Sequence, residues 1–255
     1  MVYLASNLYG AEHCFFDAGG GVSVGRYASL NTNLSSRDNP EAVMRNFEII
    51  AAKFGKCPSD MATVRQGISD KAIYITEPTW FQNYADGLVT TNPEILLGIK
   101  TADCAPVLLI DEKHGVVGAA HAGWRGAYKG IVGNVVDLMV AHGAQRIDIA
   151  AAVGPCLQQK SFAVKDDMRR ELLSVSAADE KYFTPADDSE HFYFDLSGYV
   201  ESRLRYAGVE NIENSRIDTY PPENGYFSYR RNTHRRLIAV PKDYPTQYSF
   251  IKLSR

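Results

Sequence analysis

No apolar run of about 18 residues occurs anywhere in this 255-residue chain, so nothing in it reads as a membrane span. Charge of one sign is not in excess either. The 27 basic and 30 acidic side chains are mixed along the chain and leave a net charge of −3, which argues against a general nucleic-acid surface. Cysteine is scarce: Cys14, Cys57, Cys104 and Cys156 lie far apart, with no paired spacing of the zinc-ribbon or redox kind. The opening residues 1–6 show no basic patch followed by an apolar stretch, so no secretory leader is expected, and the thiols read as reduced in a cytoplasmic protein. Repeats, low-complexity tracts and Pro/Ser linkers are also absent, which makes residues 1–255 one expected domain. What remains is ordinary globular composition, 45% apolar and 22% charged, long enough to bury roughly 70–75% of the unfolded surface.

The spacing predicts a helix over Pro40–Phe54, with Asp38 or Asn39 as cap, Pro40 in the first turn and Gly55 after the end. Val43, Phe47, Ile50, Ala51 and Phe54 form its buried face. Further helices are expected from about Lys129 to His142 and over Leu196–Tyr206. Between them lie β-type runs at Ala72–Ile75, Glu94–Ile99, Val107–Ile110, Val116–His121 and Ile147–Val153. Several are almost continuously apolar, as strands covered on both faces are. Strands and helices interleave without strict alternation, so the expected class is α+β, a mixed-sheet α/β sandwich. The stretch from Tyr226 reads as irregular chain ending in a strand, Tyr248–Leu253.

Chemistry concentrates in Thr101–Gly126. Cys104 falls in a connection between two apolar strands. His121 ends a later strand and enters the turn Ala122–Gly126 before a helix. Polar residues at strand ends are where open α/β folds place reactive groups. Asp103 could add charge, and Arg125 adds a cation suited to an anion such as phosphate. Each has an ordinary explanation alone: a free Cys packs as a small hydrophobe, a strand-end His is commonly a hydrogen-bonded structural residue, and an Arg is commonly solvated. Their co-occurrence points to a site. Gly19-Gly20-Gly21 lacks the Lys-Ser/Thr of a P-loop and reads as a tight turn. Asp86 either orients a pocket residue or caps a turn, and Cys156 reads as structural. Arg230-Arg231 with Arg235-Arg236 reads as a packed or phosphate-contacting tail.

Ala102-Asp103-Cys104-Ala105-Pro106, a strand, and a second strand ending His121-Ala122-Gly123-Trp124-Arg125-Gly126 together resemble the bacterial family once labelled multicopper polyphenol oxidase or laccase domain, now associated with purine nucleoside phosphorylase activity. Gly20-Gly21-Val22-Ser23, Ser29-Leu30-Asn31, Asp38-Asn39-Pro40, Asn46, Ala85-Asp86, Gly154-Pro155-Cys156 and Phe227–Arg231 extend the resemblance over almost the whole chain. It implies a single-domain sandwich shared distantly with the cytotoxic necrotizing factor toxins. It also implies a zinc site of two His and one Cys, and phosphorolysis of adenosine, inosine and methylthioadenosine with adenosine deamination. Carried over, Cys104 and His121 are both catalytic residues and metal ligands. Arg125, Arg230, Arg231 and Asp86 are candidates for phosphate or substrate contacts. The expected partners are purine nucleosides and phosphate, with no nucleic acid and no membrane, and a monomer is favoured.

The chain also departs from that pattern. Ile68 stands where the third ligand, a His, is expected, and isoleucine has no lone pair to give a metal. Ala18, Phe47 and Pro245-Thr246 replace further polar anchors. His13 and His234 are conceivable substitute ligands. Three functional readings follow: a zinc-assisted purine nucleoside phosphorylase, a metal-free hydrolase using Cys104 as thiolate and His121 as base, and a degenerate paralogue that keeps only a nucleoside pocket. A multicopper oxidase is disfavoured, because six scattered His do not provide several copper centres.

Overall fold

Successive side chains of a strand point to opposite faces, and in this chain both faces of the central strands are apolar. In the computed structural model, which describes residues 2–188 and 190–254, this produces four layers. One sheet has the order β1 (Ala11–Phe15), β14 (Gln247–Leu253), β6 (Leu96–Thr101), β2 (Met61–Arg65), β4 (Thr79–Tyr84). The other has the order β13 (Asn211–Asn214), β9 (Ala150–Val153), β7 (Ala105–Asp111), β8 (Val116–Ala122), β5 (Gly87–Thr90), β3 (Ala72–Tyr74). Both mix parallel and antiparallel pairs.

The sheets stack through Leu97, Ile99 and Ile251 of one and Leu108, Ile110 and Val117 of the other. The opposite face of β7, Val107 and Leu109, packs on α3 (Ile131–Ala141) and α5 (Leu196–Tyr206). Leu96, Tyr248 and Phe250 pack on α1 (Pro40–Ala52) through Phe47 and Ile50. Phe47, which stands in place of an expected polar anchor, thus fills the core between helix and sheet, fully buried against Trp80 and Tyr248. A small third sheet, β10 (Ala163–Lys165), β12 (His191–Phe194) and β11 (Phe183–Pro185), lies with α4 (Asp166–Leu173) beside α5. The expected single-domain mixed α/β sandwich is what the chain forms.

Several boundaries differ from expectation. The helix anticipated from Lys129 is preceded by another, α2 (Trp124–Lys129), and Gly130, at φ +102°, separates the two. Ile147 begins no strand, because Arg146–Asp148 makes a 3-10 turn before β9. The Arg-rich stretch is not irregular throughout: α6 (Tyr229–His234) forms there, capped by the Ser228 hydroxyl, which accepts from the Arg231 N–H.

The glycine-rich segment is a packed turn. A Cβ on Gly21 would lie 2.2 Å from the Ser29 carbonyl, so only glycine fits. Nearby, buried Asp243 accepts from Tyr27 Oη (2.6 Å), the Arg37 N–H (2.9 Å) and the Arg26 guanidinium. Burial works against its charge, but these donors outweigh it and hold its carboxyl below the usual 3.8. A depressed carboxylate stabilises the fold above its unfolded pKa and loses that effect as pH falls through the folded value. Asp243→Asn is therefore expected to cost about 1–3 kcal/mol near neutrality, and the difference from wild type should shrink below pH 3.8. Urea midpoints of both proteins across that range check it.

Candidate active site

Register brings the chemistry together. In the β7–β8 ladder, Ala105 pairs with Ala122 and Pro106 with His121. Cys104, just ahead of β7, therefore lies beside the end of β8. In the β5–β8 ladder, Gly87 pairs with Ala120, and the His121 N–H donates to the Asp86 carbonyl at 2.7 Å. Three neighbouring strand ends thus deliver Asp86, His121 and Cys104 to one place.

The His121 side chain is 9% exposed, and its Nδ1 lies 2.8 Å from Asp86 Oδ1. The Cys104 side chain lies close enough to the ring to act on its charge. Burial disfavours a charged ring, but the Cys104 sulfur and the Asp86 carboxylate more than offset it and lift the His121 pKa to about 9. Asp86 is held down to about 2: burial opposes its charge, and bonds from His121 and Ser69 override that. A Cβ on Gly123 would come within 3.0 Å of the Cys104 sulfur, so glycine there leaves room for the thiol.

Asp86 both orients and caps. Its carboxylate accepts the N–H groups of Gly67 (3.1 Å), Ile68 (3.2 Å) and Ser69 (2.7 Å) and the Ser69 hydroxyl (2.6 Å). Its oxygens are thus committed within the protein. The loop it holds carries Ile68 at φ +59°, a conformation unfavourable for a β-branched residue. Asp103, at φ +88°, is buried behind Cys104 and accepts from Thr219 Oγ1 and the Arg230 N–H, each at 2.6 Å. Burial raises its pKa against these bonds. This tie fixes the Cys104 connection to α6.

Cys104 opens on a cavity of about 250 Å³ walled by Ile68, Leu157, Phe162, Leu196 and Tyr229, with Arg125 and Arg230 at its edge. The Arg125 guanidinium lies 4.2 Å over the Trp124 ring, and Arg230 lies 5.3 Å over Phe162. Full positive charge at the cavity is carried by the Arg125 and Arg230 guanidinium groups. Arg231 is turned toward the backbone of the neighbouring loop. Its guanidinium donates to the carbonyls of Thr219, Tyr220 and Tyr226 and braces the loop instead of facing the cavity. Cys156 is buried, as a structural thiol should be. Phe162, Thr219 and Ser69 carried no signal in the sequence, since only the fold brings their segments here.

The family described as multi-copper polyphenol oxidoreductase laccase matches residues 12–240. The chain belongs to this family. Similar proteins include the purine nucleoside phosphorylase of Deinococcus radiodurans, 35% identical over 231 residues, covering 89% of this chain and 87% of that protein. The purine nucleoside phosphorylase RP494 of Rickettsia prowazekii is 32% identical over 212 residues, covering 83% and 85%. Among solved structures, the hypothetical protein YfiH of Bacillus licheniformis superposes with a TM-score of 0.86 at 27% identity, over 96% of this chain and 93% of that one.

The metals implied for the laccase family do not fit this donor set. A zinc site with an open position takes three protein ligands. Here Cys104 and His121 are joined by the aliphatic Ile68, which lines the same cavity. His13, in β1, is bonded to the Ala5 N–H and the Ala11 carbonyl, and His234 to Tyr220, so neither substitutes. Among the described residues, the group of three His, Cys, Asp or Glu side chains close enough to share an ion is Asp111 and His114 of the β7–β8 turn with Asp148 of the 3-10 turn before β9. It could hold a metal ion, but it has one imidazole where copper centres need several. Asp111 already accepts the N–H groups of His114 and Gln145.

Proposed function

We propose that this protein is a purine nucleoside phosphorylase acting on adenosine, inosine and methylthioadenosine through Cys104, His121 and Asp86, without a three-ligand zinc centre. The observation that carries the reading is the line Asp86–His121–Cys104 ending on an apolar cavity with two arginines at its edge. The names borne by the relatives support the substrate class.

In phosphorolysis a phosphate oxygen bonds to C1′ of the ribose and the C1′–N9 bond breaks, its electron pair leaving with the purine. The purine then needs a proton. Cys104 faces the cavity and His121 stands behind it, so the thiol proton goes to the base and His121 Nε2 replaces it. Dihydrogen phosphate restores the imidazole proton. Arg125 and Arg230 hold the phosphate, as guanidinium groups do well. The apolar walls take the base. Deamination is outside this reading, because among the described residues no third donor joins Cys104 and His121.

Inosine with phosphate is expected to give hypoxanthine and ribose 1-phosphate in equal amounts, and no base without phosphate. Absence of base release with each of the three nucleosides overturns the reading. The same line of side chains also favours a second one, a thiolate nucleophile with His121 as base and Asp86 as orienter. That reading expects Cys104 to be alkylated faster than exposed Cys57; slower labelling of Cys104 removes it.

A further inference from the structure

The Cys104 cavity, about 250 Å³, is smaller than the roughly 300–1,000 Å³ of most small-molecule sites. It does not end there. A groove of about 430 Å³ adjoins it, and Trp124, Arg125, Phe162 and Arg230 line both spaces. The groove continues along α4, lined by its cap residue Lys165 and by Asp167 and Glu171. Among the described residues none of these three charged side chains forms an ion pair with another side chain, although neighbouring Asp166 is paired with both Arg169 and Arg170.

We infer that the groove receives a 5′ extension of the nucleoside bearing both a carboxylate and an ammonium group, as in an adenosine joined through a 5′ thioether to an amino acid. This rests on the reading that the cavity holds the nucleoside. With the base beside Cys104 and phosphate on the arginines at the neck, the sugar's 5′ end leads into the groove. With Arg125 and Arg230 engaged at the neck, a plain phosphate further along would meet Lys165 together with two carboxylates, and a plain cation would meet Lys165. A zwitterion satisfies both signs: its carboxylate pairs with Lys165, and its ammonium with Asp167 and Glu171.

The test compares S-adenosylhomocysteine, methylthioadenosine and adenosine 5′-phosphate as substrates with inorganic phosphate, alongside calorimetric binding. S-adenosylhomocysteine is expected to exceed methylthioadenosine about tenfold in kcat/KM. The double variant D167N/E171Q should erase that advantage and leave methylthioadenosine turnover unchanged. Turnover of methylthioadenosine with no gain for S-adenosylhomocysteine overturns the inference and leaves the phosphorylase reading standing. Preference for adenosine 5′-phosphate overturns it in favour of a simple anion groove. If none of the three is bound or cleaved, inference and reading fall together.

Discussion

Replacing His121 with glutamine is expected to lower kcat for inosine phosphorolysis by roughly 10²–10⁴-fold, with KM little changed. The ring does not touch the cavity; it returns a proton to the thiol that does. Its loss should therefore remove catalysis while leaving the walls that bind the base intact. Asp86→Asn should differ in kind. The carboxylate fixes the ring through Nδ1 and also accepts three N–H groups and a hydroxyl from residues 67–69. An amide has one acceptor oxygen where the carboxylate has two, so buried donors lose their partners. That costs about 2–4 kcal/mol of stability, on top of a fall in kcat. Steady-state kinetics paired with urea unfolding separates the two: H121Q should lose mainly activity, with a smaller loss of stability from the broken Asp86–His121 pair, and D86N should lose both. Full activity in H121Q would remove the proton relay.

The site was half legible in the sequence. Cys104 and His121 stand at the ends of strands whose apolar runs are unmistakable, and hairpin pairing of those strands brings them together. The two roles open to Asp86, orienting a pocket residue and capping a turn, could not be separated, since that depends on which strand β5 pairs with, and that is a tertiary fact. Arg230 and Arg231 show the limit most clearly. They are adjacent and chemically identical, yet on a short helix one reaches the cavity and the other braces carbonyls. Helix α6 itself has no apolar periodicity; the Ser228 cap and the Asp103 bond to the Arg230 N–H hold it. Helices α1 and α5 were legible for the opposite reason. Asn39 and Asp195 cap them locally, each accepting a backbone N–H of the first turn.

Introducing histidine at position 68 is expected to create the zinc site that this chain's own donors do not complete. The loop conformation is already suitable. Ile68 sits at φ +59° with its N–H held by Asp86, the residue is 44% exposed, and it lines the same cavity as Cys104. A β-branched side chain is strained in that region, whereas histidine is among the residues enriched there, so the exchange should relieve strain while adding a nitrogen donor beside a thiol and an imidazole. Purified I68H should carry about one zinc per chain, and wild type well under that. I68G serves as the control for the backbone: it should gain about 1 kcal/mol of stability and bind no more metal than wild type. Full zinc occupancy in wild type would show that Cys104 and His121 recruit a donor from elsewhere. Equal, low occupancy in wild type and I68H would show that position 68 does not face the pair closely enough to share an ion. Between those outcomes, zinc gained by I68H and not by I68G assigns the deficit to one missing lone pair and not to the shape of the loop.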